Sequence, residues 1–453
     1  MRRLHHVSDA ERTSRRGFLK LAAASSLVLS PAPTGLSIGN PYLSAGRGSR
    51  FPEAQLKPAS VREFLSSLIP TREEVETFLD PRRPNWARFD PELGYTLRDN
   101  ILKDGVDGSR TITSYQKTGE RTMISYAHRP CRINTYGDSF TQCHQASDGE
   151  TWQEYLAAHL GEPIRNFGIG GYGTYQAYRR MLREEATPRS AEFVILNIWD
   201  LDDYMRSIDA WRWLRIAPWF RANYLGHLYM FHANPWVHVR LGQGGGLVEK
   251  KNDFNTPESL RNLSNLDYVY EHFKDDLVVN LLAAQAGVAQ VNRSELEGLA
   301  KTLNVKADFT SAEATAEAAR AVHIEYALRA GMRVIEKAEA FAEANKKKLM
   351  VLLSFGEHSV AHACEGRPRF DQSVLEFLRA KSIPFVDSLA RHVEDFQSFK
   401  LTPQAYVKRY YIGHYNPCGN HFFAFAIKDP LVRWLEPKPQ AYRDGAETIP
   451  AVV

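Results

Sequence analysis

Five short apolar runs, separated by segments with helical spacing, constrain the fold of this chain more than any other feature of its sequence. Runs that are apolar on both faces are typical of parallel strands covered by helices, and their alternation with helices indicates crossover connections. The sequence therefore predicts an α/β fold, with five parallel strands in a three-layer, doubly wound sheet. The predicted strands are 132–136 (RINTY), 163–169 (PIRNFGI), 192–199 (EFVILNIW), 347–355 (KKLMVLLSF) and 383–389 (IPFVDSL).

Helical spacing between these strands completes a flavodoxin-like arrangement. Helices are predicted around 151–160, from about Thr174 onward, at 370–381 and at 419–435 (GNHFFAFAIKDPLVRWL). The segment between the third and fourth strands is far longer than an ordinary crossover. It is therefore expected to be a large insertion.

The insertion is aromatic at its start and helical at its end. Such an aromatic cluster fills the core of a subdomain or lines a site where sugar rings stack, and the first role is the commoner one. From Thr310 to about Asn345 the chain is rich in Ala and Glu, which predicts one long helix opened by a capping box of Thr310 and Glu313. Five of the eight tryptophans lie near the start of the insertion: Trp199, Trp211, Trp213, Trp219 and Trp236.

Composition divides the chain into four segments. Residues 1–45 form a basic and apolar leader, and 46–130 form a Pro-rich lead-in that is expected to pack on the main domain. The lead-in contains β-like pieces such as GYTL (94–97) and RTMISYAH (121–128). The main domain is predicted at 131–437, with the insertion at 203–310, and residues 438–453 form a tail.

The leader, TSRRGFLKLAAASSLVLSPAP, resembles a twin-arginine export signal. Arg15 and Arg16 precede a short apolar run, 21–29, which is too short to cross a bilayer core of roughly 30 Å. The resemblance implies export by the twin-arginine machinery to a periplasmic or extracellular location. Two alternatives remain open: a basic, disordered tail on a cytosolic chain, and a signal kept as a membrane anchor.

Charge argues against nucleic acid or anionic lipid as a partner. The formal net charge is +4, and the leader accounts for all of it, because it holds six basic and two acidic residues. No cofactor or metal site is predicted, since the four cysteines lack metal-type spacing, and His358 and His362 would chelate a metal only on a helix. Cys143 and Cys418 are either a disulfide or two buried thiols.

Chemistry-bearing residues follow several of the predicted strands. Ligands of a doubly wound sheet bind beyond the carboxyl ends of its strands. Strand one runs into GDSFTQ with Ser139, strand two ends in NFGIGGYG, and GHYNPCGNHFFA with His414 follows strand five. A serine hydroxyl needs an imidazole base to attack an ester, and the resulting oxyanion needs amide donors.

These three motifs, in this order, resemble the SGNH hydrolases, the GDSL-like esterase and acyltransferase superfamily. The resemblance covers about residues 130–200 and 347–437. It implies that Ser139 is the nucleophile and His414 the base. It also implies that the backbone amides of Ser139 and Gly171 form the oxyanion hole.

The chain departs from the family pattern in two places. The third motif of the family offers Gly-x-Asn-Asp, whereas NIWDLDDY here places Asn197 inside a strand, so no oxyanion role is assigned to it. The family's last motif carries an acid two or three residues before the histidine, and those positions hold Ile412 and Tyr411. The site is therefore a Ser–His dyad or uses a remote carboxylate, for which Asp387 is the first candidate.

The sequence predicts an exported serine esterase or acyltransferase without a cofactor. Its expected substrate is a small-molecule or polysaccharide ester, such as an O-acetylated carbohydrate or a cell-envelope ester. A nucleotide site is not expected, because the Gly-rich turn follows strand two and lacks the downstream acid of the dinucleotide motif. The alternative is a non-catalytic carbohydrate-binding or envelope-assembly protein on the same fold.

Overall fold

The structure is a computed structural model that describes residues 58–83, 85–217, 233–242 and 244–443. The predicted export signal, Trp219 and the end of the predicted tail lie outside these residues. Within them, no helix combines the length and the apolar character that a membrane span requires.

The part of the lead-in that the structure describes contains two α-helices and two antiparallel strand pairs. The GYTL strand is confirmed, but 121–128 forms no strand. Within this segment Arg121 makes isolated β-bridges to Tyr115 and Asn166, but the pairing stops there. The amides of Ile124 (3.0 Å) and Ser125 (2.7 Å) donate instead to the carboxylate of Glu154. The elements are α1 (Val61–Ser66), α2 (Arg72–Leu79), β1 (Ala87–Asp90), β2 (Gly94–Leu97), β3 (Asn100–Leu102) and β4 (Thr111–Thr113).

The remaining elements follow in chain order. They are β5 (Ile133–Tyr136), α3 (Ser139–Gln142), α4 (Trp152–Leu160), β6 (Arg165–Asn166), α5 (Thr174–Glu185), β7 (Phe193–Trp199), α6 (Asp200–Ile208), β8 (His238–Leu241), β9 (Leu247–Lys250), α7 (Pro257–Arg261), α8 (Leu266–Phe273), α9 (Leu277–Gln285), α10 (Arg293–Leu303), α11 (Ala312–Ala344), β10 (Lys348–Ser354), α12 (Glu357–Cys364), α13 (Gln372–Ala380), β11 (Phe385–Asp387), α14 (Ser388–Phe396), α15 (Pro403–Val407) and α16 (Pro417–Trp434).

Five parallel strands form the central sheet in the order β6–β5–β7–β10–β11. Each lies within one of the five predicted apolar runs, so the α/β class and the parallel sheet are confirmed. Strand β7 is buried along its whole length because β5 and β10 flank it and helices cover it. The carboxyl ends of β5 and β7 therefore open at the same edge.

The insertion differs from its prediction in two details. Ser311, not Thr310, caps α11, since its hydroxyl accepts from the amide of Ala314 (3.1 Å), while the Thr310 amide donates to Asp308 (2.8 Å). The Gly-rich run at 242–246 connects β8 and β9 of a hairpin that the sequence did not indicate. Trp211, Trp213 and Trp236 are almost fully buried, which favours the subdomain-core interpretation of the aromatic cluster.

Candidate active site

A sharp turn after β5 places Ser139 at the edge of the sheet. Asp138 is the N-cap of the short helix α3, and its carboxylate accepts from the Phe140 amide at 2.8 Å. Ser139 is the first residue of this helix and is 8% exposed. The strand-to-helix turn therefore directs its hydroxyl away from the sheet.

The structure brings Ser139 and His414 together, as the sequence predicted. The Ser139 hydroxyl lies 2.8 Å from Nε2 of His414, although the two residues are 275 positions apart. His414 lies in a tight loop before α16, between Tyr411 and Tyr415, which form an antiparallel bridge. This loop returns the late part of the chain to the carboxyl end of β5.

Gln145, which sequence reasoning missed, faces the other side of the imidazole. Its Oε1 accepts from the His414 backbone amide (2.8 Å) and lies 3.1 Å from His414 Nδ1. Its Nε2 donates to the backbone carbonyl of Asp104 at 2.9 Å. Since both bonds fix Oε1 toward His414, Nδ1 must carry the proton, and Nε2 is free to accept from Ser139.

Asp387 does not take the orienting position that the sequence assigned to it. Its carboxylate accepts from the Arg369 guanidinium (2.7 Å) and caps α14 through the Leu389 amide (3.1 Å). It is thus occupied by a salt bridge and a helix cap at the edge strand β11. The orienting group is the neutral amide of Gln145, and the arrangement is a Ser–His–Gln triad.

The environment of His414 keeps its imidazole neutral. Burial lowers the pKa of His414 well below the ordinary value, and the neighbouring His144 and the Arg206 guanidinium lower it further. The rings of His144 and His414 meet edge to face with centroids 4.8 Å apart. Because Gln145 carries no negative charge, it does not counteract this shift. His414 can therefore act as a base in mildly acidic solution.

A buried cluster of charges lies behind the serine. The Ser139 hydroxyl is 3.1 Å from Oδ2 of Asp138, and burial raises the pKa of that carboxyl. Arg206 approaches Asp138 (3.4 Å) and Asp203 (3.1 Å) and also pairs with Asp202. Of the two acceptors near the Ser139 hydroxyl, Nε2 of His414 is the closer, at 2.8 Å against 3.1 Å for Asp138.

The glycine turn after β6 lies against the serine. A methyl group placed on Gly170 would be 3.6 Å from Cβ of Ser139 and 2.7 Å from Oε1 of Gln142. The Gly170 amide donates to that same Gln142 oxygen at 2.8 Å. Among the described residues, no acceptor takes the amide of Ser139 or of Gly171. Those two amides are the predicted oxyanion donors.

The polar residues near the end of β7 have other partners. Asn197 lies inside the strand, as expected, and donates to the Thr141 hydroxyl at 3.0 Å. Asp200 accepts from the Gly356 amide (3.1 Å) and the Ser359 hydroxyl (3.0 Å), and burial raises its pKa to about 6. These bonds connect the start of α6 to the start of α12.

Cysteines and histidines near the site form no bridge or metal centre. All four cysteines are free thiols, with Cys143 buried and Cys418 exposed, so the disulfide hypothesis is wrong. His358 and His362 lie on a helix, α12, so the helical condition for chelation is met. In the described part of the chain, no group of three metal-binding side chains occurs.

No family model matches the chain, and no curated protein matches it.

Proposed function

We propose that this protein is an exported serine esterase or acyltransferase of the SGNH type. The observation that supports this most is the 2.8 Å contact from the Ser139 hydroxyl to an imidazole whose tautomer is fixed by Gln145. A nucleophile, a base and an orienting group in hydrogen-bond contact define the chemistry of a serine hydrolase.

In the proposed reaction, the Ser139 oxygen attacks the ester carbonyl while Nε2 of His414 takes its proton. The carbonyl oxygen becomes an anion that the amides of Ser139 and Gly171 stabilise. His414 then donates its proton to the leaving alcohol, and an acyl-serine remains. Water or a second hydroxyl attacks this intermediate, with His414 again as the base, and Ser139 regains its proton.

The proposed architecture is a doubly wound, flavodoxin-like sheet. Two groups of mutually packed helices support it: α4 contacts α16, while α5, α6 and α11 contact one another. Such a sheet binds ligands at the carboxyl ends of its strands, where Ser139 lies.

The proposed substrate is an acyl ester, with an O-acetylated carbohydrate or a cell-envelope ester as the class that an exported chain would meet. Export by the twin-arginine route is part of the same proposal and rests on Arg15 and Arg16 ahead of the short apolar run. Fractionation of producing cells, with an Arg15→Lys, Arg16→Lys variant as the comparison, tests it.

Substitution of the nucleophile tests the activity. Purified protein should hydrolyse p-nitrophenyl acetate and react once with a fluorophosphonate probe, and Ser139→Ala should abolish both. The matched control is Ser294→Ala, an exposed serine on α10. Hydrolysis that survives Ser139→Ala, or labelling equal in both variants, would refute the proposed nucleophile.

A further inference from the structure

The turn that carries the proposed oxyanion donor has a defined type. The amide of Tyr172 donates to the carbonyl of Ile169 at 3.1 Å, which closes a four-residue turn with Gly170 and Gly171 at its centre. Gly171 has a φ of 89°, in the left-handed region, whereas Gly170 does not. These angles are those of a type II turn.

Type I and type II turns differ by a flip of the central peptide. In a trans peptide the carbonyl and the N–H point in opposite directions. The Gly170 carbonyl and the Gly171 N–H belong to the same peptide, so the group that holds the carbonyl also decides where the N–H points. Glycine at both positions offers no side chain that would resist a flip.

Tyr95, from β2 of the lead-in, holds this carbonyl. Its hydroxyl donates to the oxygen of Gly170 at 2.8 Å. The Arg212 guanidinium also hydrogen-bonds the same hydroxyl. Because a guanidinium can only donate, the hydroxyl hydrogen of Tyr95 is directed to Gly170.

The ring of Tyr95 is fixed in place. It is fully buried, and its centroid lies 5.5 Å from that of Tyr172 and 6.3 Å from that of Trp236. The Tyr172 hydroxyl in turn donates to the Tyr95 carbonyl at 2.5 Å. Burial raises the pKa of Tyr95 to about 12, so its hydroxyl remains a donor at any working pH.

We infer that Tyr95 is a positioning residue for the oxyanion hole: it holds the Gly170–Gly171 peptide so that the Gly171 N–H faces the reacting carbonyl oxygen. A flipped peptide would turn the Gly170 oxygen toward the oxyanion and oppose it by like charge. The inference rests on the proposed function, since it assigns a supporting group to the same reaction.

Removal of one hydroxyl tests the inference. In the full chain, Tyr95→Phe keeps the ring but not the hydrogen bond. We expect kcat for p-nitrophenyl acetate to fall at least about tenfold, and at most by the 10²–10³ of a lost oxyanion donor. The KM should change less than about twofold, because the contact acts in the transition state. Affinity for an alkyl boronic acid, whose adduct is tetrahedral, should fall in parallel with kcat/KM.

The matched control is Tyr326→Phe, which removes a buried tyrosine hydroxyl of α11 that accepts from the Leu241 amide of β8 at 2.6 Å. It should leave kcat unchanged. A Tyr95→Phe enzyme with the wild-type kcat and boronate affinity would overturn the inference, while Ser139-dependent turnover by the wild type would preserve the proposed function. Wild-type protein without such turnover would overturn both.

A second measurement does not depend on a variant that folds. A crystal structure of the wild-type chain with a boronate on Ser139 should place a boronate oxygen within hydrogen-bond distance of the Gly171 N–H, with Tyr95 still on the Gly170 oxygen. A boronate oxygen directed away from Gly171 would overturn the inference.

Discussion

At the scale of single residues, the amide of Gln145 takes the position that a carboxylate holds in a Ser–His–Asp triad. Its Oε1 fixes the tautomer of His414, and its Nε2 donates a hydrogen bond to the Asp104 carbonyl. A carboxylate would stabilise the imidazolium that forms during attack, and an amide does so only as a dipole. In the proposed reaction, Gln145 would therefore stabilise the imidazolium less than a carboxylate does, while it leaves the lowered pKa of His414 unopposed.

Gln145→Glu should stabilise the imidazolium form of His414 and so raise its pKa. A negative charge beside Nδ1 favours the imidazolium and should raise the pKa of His414 by about 1 to 3 units. Since only neutral His414 can accept the serine proton, the rising limb of the pH profile of kcat/KM should move to higher pH by a similar amount. The comparison enzyme is Gln145→Ala, which should lower kcat by up to about 10²–10⁴ without adding a charge. A rising limb that stays in place for Gln145→Glu would contradict this account of the site.

At the scale of elements, a buried histidine on α14 supports the loop that carries His414. Tyr406 donates to Asp395 (2.9 Å), so Nδ1 of His392, 3.1 Å from that hydroxyl, must be the donor. Nε2 of His392 then accepts from the hydroxyl of Tyr415 at 3.0 Å. Tyr415 directly follows His414, so the hydrogen bonds run from Asp395 to the loop that carries His414.

His392→Phe should destabilise this loop. Phenylalanine retains the stacking on Phe422, whose centroid lies 4.2 Å away, but leaves buried tyrosine hydroxyls without their partner. The expected loss is about 1–3 kcal/mol of the free energy of unfolding, measured with urea, together with a lower kcat. His392→Gln, which restores hydrogen-bonding groups, should recover part of both. Equal stability and activity in all three proteins would show that the network has no such role.

At the scale of the whole molecule, the site combines three distant parts of the chain. Tyr95 comes from the lead-in, Ser139 follows the first strand of the sheet, and His414 lies in the loop before the last helix. Parallel strands could be predicted because the apolar runs are strong, and Ser139 and His414 because each lies in a recognisable motif. Gln145 could not, since a neutral amide has no distinctive spacing, and its backbone turns back through a φ of 68°. Tyr95 could not, because its partner is a backbone carbonyl 75 residues away.

A buried histidine on the long helix α11 is expected to make the stability of the whole chain depend on pH. His323 on α11 is fully buried, and burial lowers its pKa to about 3. The unfolded chain binds a proton at this histidine from about pH 6.5 downward and the folded chain does not, so its contribution is complete above pH 6.5 and is lost as the pH falls toward 3. His323→Gln should therefore flatten the plot of unfolding free energy against pH by up to about 1.4 kcal/mol per pH unit near pH 5. Urea unfolding at pH 7 and pH 5 checks this, and an unchanged slope would contradict it.

The distance along the chain between the two reacting groups has a consequence for biosynthesis. Ser139 leaves the ribosome 275 residues before His414. Asp104, whose carbonyl accepts from Gln145, is synthesised earlier still. A nascent chain that stops before residue 414 thus holds the proposed nucleophile without its proposed base. The proposed ester cleavage would begin only after His414 has been synthesised.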